Sequence, residues 1–166
     1  MRIPPVTFYL SLLAAVVAAL SLGPSFAHVL EAEPRLMAWS AELWRETTVF
    51  NRQFWLFAAV GAPLDLAAIV LPACLVLLLR GDGPASRFAA SAAALYALAL
   101  GAWLALVAPA NAELATWIRG AALPENFDAV RLRWETGHMI VAAFKLAGFV
   151  ALMVALLSIA RHLRAA

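Results

Sequence analysis

The chain has 166 residues, 65% of them apolar and only 13% charged, with a formal net charge of +2 and a mean hydropathy of +0.88. A soluble domain is usually about half apolar and about a quarter charged, so soluble and disordered classes are both excluded, and the length suits a single membrane domain, residues 1–166, of four spans. Lys and Arg lie near the ends of apolar runs, where membrane topology accounts for them, so the basic balance does not imply nucleic acid.

The first span is expected over about residues 6–30, after Pro4 and Pro5, where a missing N–H does little harm. Gly23-Pro24 predicts a kink or a break. Arg2, the apolar run and Ser25-Phe26-Ala27 also fit a secretory signal peptide cut before His28; a retained anchor is the expected state. Glu31 to Asn51 reads as a polar connection. Within it, Met37 to Trp44 predicts a short interfacial helix carrying Trp39 and Trp44. Arg45, Glu46 and Arg52 read as a solvated face.

The second span is expected over about 54–79, with Pro63 and Pro72 inside it, as membrane helices tolerate. Asp65 falls about 15 Å from its start. A carboxylate at that depth is costly unless paired, neutral or hydrated. Cys74, the single cysteine, reads as a small buried residue. The Gly- and Pro-rich stretch from Arg80 to Arg87 is a tight turn. The third span, about 88–108, is rich in alanine, which suits close helix approach. Pro109-Ala110-Asn111 is expected to end or bend it. After a connection carrying Trp117, Asn126 or Asp128 is placed to cap a last helix from Phe127 to Leu163, whose membrane part covers about 137–161.

Arg2, Arg80, Arg87, Arg161 and Arg164 crowd the two termini and the short turn. The positive-inside rule then puts both termini in the cytoplasm. The expected fold is an all-α integral membrane four-helix bundle, in a bacterial-type inner (plasma) membrane, with a polar pocket on the outer side.

The last helix holds the densest chemistry. At about 100° per residue, Arg131, Glu135, His138, Ala142 and Lys145 share one stripe, flanked by Trp134. Alternating spans bring His28, Asn111, Arg131, Trp134, Glu135 and His138 to one side of the membrane, with Asp65 and Lys145 deeper. Each has a structural reading. Lys145 can snorkel or pair with Asp65, Arg131 and Glu135 form a four-apart helix pair, and Trp134 can be an interfacial anchor. His138 has the stronger functional reading, because Glu135 one turn earlier can fix its tautomer.

Phe26-Ala27-His28-Val29-Leu30-Glu31, Pro109-x-Asn111 and Arg131-x-Arg133-Trp134-Glu135-x-x-His138 together resemble the anthrone oxygenase-like family of small four-helix membrane proteins. The resemblance covers nearly the whole chain. It implies oxidation of an anthrone to an anthraquinone by molecular oxygen, as a monooxygenase with no added cofactor. It implies site residues at His28, Asn111, Arg131, Trp134 and His138. Asp65 and Lys145 are not part of that pattern. The chemistry suits the residues: His138 as base, Glu135 or Arg131 orienting it, Asn111 or Arg131 facing the enolate oxygen, and Trp134 stacking on a planar ring system.

Three classes of function therefore remain. The first is a membrane oxygenase or oxidoreductase acting on a lipophilic aromatic, anthrone- or quinol-like, through His138. The second is a haem or transition-metal protein with His28 and His138 as ligands, although no metal-type spacing accompanies them. The third is a non-enzymatic small-molecule binder or partner subunit; Ala143-x-x-x-Ala147 also suits helix contact within a homo-oligomer.

Overall fold

A computed structural model describes residues 4–51, 53–79, 81 and 83–164. Arg2, Arg52, Arg80 and the side chain of Arg164, used above for orientation and surface readings, lie outside the described residues.

The first helix, α1, runs Pro5–Met37 without interruption. The break expected at Gly23-Pro24 does not occur, nor does Pro34 stop the helix. One missing N–H is tolerable in a helix held along its length by neighbours, and α1 packs on both the second and the last long helix. It closes where Ala38 N–H and Trp39 N–H both reach Pro34 O, each at 3.0 Å. Ser40 then caps α2, Ala41–Val49, its side chain accepting from Leu43 N–H at 3.2 Å. The short helix thus begins later than the expected Met37, because that residue still belongs to α1.

The second long helix, α3, spans Gln53–Leu79. The third is α4, Pro84–Ala102, which passes through a π-helical turn at Trp103–Val107 into α5, Ala108–Leu114. Proline has no N–H and its ring crowds the carbonyl four residues back. Just before Pro109 the ladder widens, and Ala108 N–H bonds to Trp103 O. The helix therefore passes Pro109 and carries Asn111 onward, where an end or bend was expected. The last helix, α6, covers Phe127–Arg164. Asn126 precedes it, with its side-chain amide donating to Glu113.

Among the described residues four helices are long and apolar enough to cross a membrane. A hydrocarbon core uses about 20 residues of a helix. The candidate spans in α1 and α6 are 33 and 35 residues long, so several turns of each are left over. Those turns are the polar ones, Glu31 onward in α1 and before His138 in α6. The four long helices pack as a bundle, with α1 and α4 each wedged between α3 and α6. Outward-facing Leu12, Leu20, Leu66, Leu77, Leu98 and Leu157 are exposed, as a lipid-facing surface requires.

Two apolar clusters fill the bundle. One joins Ala14, Ala18, Leu75, Ala92, Tyr96 and Leu152. The other joins Trp44, Val107, Leu114, Phe127, Val130 and Trp134 near α2. Two glycines of α6 make the packing possible. A Cβ at Gly148 would lie 2.9 Å from Tyr96 Cδ2, and one at Gly137 would lie 2.9 Å from Val107 Cγ2 in the π-helical turn. Tyr96 is held in place by its hydroxyl, which donates to Ala18 O at 3.0 Å.

Candidate functional site

The polar stripe of α6 faces α1, and α1 carries a matching stripe. Ser21, His28 and Arg35 recur every seven residues along α1; Lys145, His138 and Arg131 recur every seven in the opposite direction along α6. Each meets its counterpart. Lys145 Nζ donates to Ser21 O at 3.2 Å. The rings of His28 and His138 stack with centroids 4.2 Å apart and planes 27° from parallel. Arg131 Nη2 donates to Arg35 O and, at 3.2 Å, to Trp39 O. Two turns of helix separate successive levels, about 10 Å.

At the α2 end, Glu135 is fully buried. Its Oε1 accepts from Arg35 Nε at 2.8 Å and from Trp44 Nε1 at 2.7 Å. Its Oε2 has no partner. Arg35 also donates to Thr48 Oγ1 at 2.6 Å and to Glu31 Oε2 at 3.2 Å, and its guanidinium lies over Trp39 and Trp134 at 5.1 and 5.2 Å. The expected pairing of Arg131 with Glu135 is therefore replaced. Arg35 takes the carboxylate, and Arg131 meets carbonyls at the C-terminal end of α1, where a cation complements the helix dipole. Glu135 likewise spends its bonded oxygen on Arg35 and Trp44, where an orienting role toward His138 was expected.

His28 and His138 are half-buried at the middle level. Trp134 meets both edge-on, at 5.1 and 4.3 Å between ring centroids, and Phe57 lies 6.0 Å from His28. Trp134 Nε1 donates to Asn111 Oδ1 at 2.8 Å. That bond fixes the indole and leaves the Asn111 NH2 as its remaining donor. His28 Nδ1 is buried with no hydrogen-bond partner.

At the deepest level Lys145 Nζ donates to Asp65 Oδ1 at 2.7 Å, and Ser21 Oγ donates to the same oxygen at 2.6 Å. This pairing reduces the cost of two charges between apolar helices. It sits between the two apolar clusters, a polar layer across α1, α3 and α6.

The haem or metal alternative rests on His28 and His138, whose rings stand in stacking contact; among the described residues no third His, Cys, Asp or Glu side chain joins them in a metal-type group.

Sequence reasoning missed Arg35 and Trp44, the two donors to Glu135. Arg45 was read as solvent-facing and is instead buried, its Nη1 donating to Ala121 O at 2.7 Å. Glu46 pairs with Arg119 at 3.2 Å near the surface. No family model, curated protein or solved structure matches the chain.

Proposed function

We propose that the protein is a membrane-embedded, cofactor-independent oxygenase acting on a lipophilic aromatic of the anthrone or quinol class, with both termini on the cytoplasmic side. The observation that carries the reading is the His28–His138 stack walled by Trp134 and Phe57. It sets two imidazoles beside each other, with Trp134 edge-on to both and Phe57 tilted against His28, in a mostly apolar setting suited to a flat lipophilic substrate and oxygen. The resemblance to the anthrone oxygenase-like family implies His28, Trp134 and His138 among its site residues, with Asn111 and Arg131; Phe57 is not among them.

The reaction balances without a further redox partner. For an anthrone, a His138 ring nitrogen removes one proton from the central-ring methylene, which is conjugated through the flanking arenes with the carbonyl opposite it. The enolate gives an electron to O2, and recombination forms a carbon-bound hydroperoxide, which collapses to the ketone. One oxygen atom stays in the product; the other leaves as water with the two methylene hydrogens. The Asn111 NH2 is the donor for the enolate oxygen. Trp134, fixed by Asn111, is the stacking surface. Arg35, Glu135 and Arg131 hold α1, α2 and α6 in register around this centre.

Oxygen uptake by purified protein in neutral detergent, over a panel of anthrones and quinols, tests the proposal. With anthrones the expected result is turnover with one atom of labelled O2 in the product; with quinols it is oxygen uptake that yields hydrogen peroxide and an unlabelled quinone. Saturable binding of the panel without oxygen uptake would instead make the protein a binder.

A further inference from the structure

A second site lies outside all four candidate spans, between α2 and the connection from α5 to α6. Residues Arg45, Thr116, Trp117, Ile118, Ala121 and Pro124 line a cavity of about 190 Å3 there. The walls are clasped together. Arg45 Nη1 donates to Ala121 O at 2.7 Å, Arg119 pairs with Glu46 at 3.2 Å, and Arg119 Nη2 reaches Phe50 O at 3.2 Å. Gly120, at φ +81°, supplies the left-handed turn that folds the connection back.

Arg45 is what makes this cavity more than a gap. It is 7% exposed, its Nε is buried with no hydrogen-bond partner, and among the described residues no carboxylate pairs with it. Arginine stays charged, and a buried cation without a counter-charge is costly. Of the other buried cations among the described residues, Arg35 is paired with Glu135 and Lys145 with Asp65, while Arg131, whose Nε is likewise without a partner, meets two carbonyls at the end of α1 and Arg45 only one. The rest of the cavity wall is mainly apolar, and Trp117 is its one aromatic residue among the described residues. The volume exceeds the ~150 Å3 of an apolar cavity that admits benzene.

We infer that this cavity binds a small amphipathic anion, a monocyclic aromatic carboxylate or one of similar size, whose charge is met by Arg45 and whose ring lies against Trp117. The site shares no residue with the histidine centre, so it stands or falls independently of the oxygenase reading.

Calorimetric titration of the full-length protein with benzoate, in neutral detergent, tests it. Trp117 is 6.5 Å from Trp44, so tryptophan fluorescence supplies a second signal. Saturable one-to-one binding is expected, weakened at least tenfold by Arg45→Gln and unchanged by His138→Ala. Ala122→Leu, at an exposed lining position, keeps the Arg45–Ala121 bond and fills the space; it should weaken binding equally, which covers the case of Arg45→Gln failing to fold. Absence of saturable binding would overturn the inference. So would benzyl alcohol or inorganic phosphate binding as tightly as benzoate, or Ala122→Leu binding like the parent protein.

Discussion

Arg35 and Glu135 are 100 residues apart in the chain, and Arg35 Nε donates to Glu135 Oε1 at 2.8 Å. The carboxylate is fully buried, so removing its cation strands a charge. Arg35→Ala should destabilise the folded protein by about 3–5 kcal/mol, read as a fall in the thermal unfolding midpoint in detergent. Adding Glu135→Gln to Arg35→Ala should recover part of the loss, because the stranded charge is gone. A double variant as unstable as the sum of the two single ones would mean the pair is not coupled.

The deeper pair follows the same rule with a different partner. Lys145→Met leaves Asp65 with only the Ser21 hydroxyl. The expected result is a fall in unfolding midpoint larger than that of Lys145→Met combined with Asp65→Asn. Equal midpoints for the two proteins would show that the Lys145–Asp65 contact carries no stability.

Gly137 controls how closely α6 approaches the π-helical turn beside His138. A Cβ there would lie 2.9 Å from Val107 Cγ2 and 3.2 Å from Leu106 Cβ, and Val107 is fully buried. Overpacking of this kind costs about 1–3 kcal/mol. Gly137→Ala should lower the unfolding midpoint accordingly, and Val107→Ala in the same chain should restore part of it. A Gly137→Ala protein as stable as the parent would contradict the close approach.

The bundle was legible because long apolar runs admit few other solutions, and the stripe on α6 was legible from its helical spacing alone. The partner stripe on α1 was not. The first span was expected to end near Leu30, so Arg35 fell in the connection, where an arginine usually belongs to solvent. Pro34 beside it lies inside α1 all the same, although proline usually marks a helix limit. The available signal was the seven-residue spacing from Ser21 through His28 to Arg35, which repeats that of Arg131, His138 and Lys145. Trp44 was legible as an interfacial aromatic but not as a donor to a carboxylate 91 residues away. Local rules also suggested Arg131 for Glu135, because four-apart charges on one helix commonly pair. The carbonyls at the end of α1 compete for that guanidinium, and only the tertiary arrangement reveals them.

The account rests on the stacked imidazoles as the reacting centre, and His138→Ala tests that most directly. Oxygen consumption should be measured for the parent and the variant at equal folded concentration, with the best-turned-over anthrone or quinol. Loss of a positioned general base predicts a fall in kcat of about 10²–10⁴-fold, well beyond any loss of folded protein from the missing contacts with His28 and Trp134, which the equal folded concentration removes from the comparison. A His138→Ala protein that consumes oxygen at the parent rate would contradict the account.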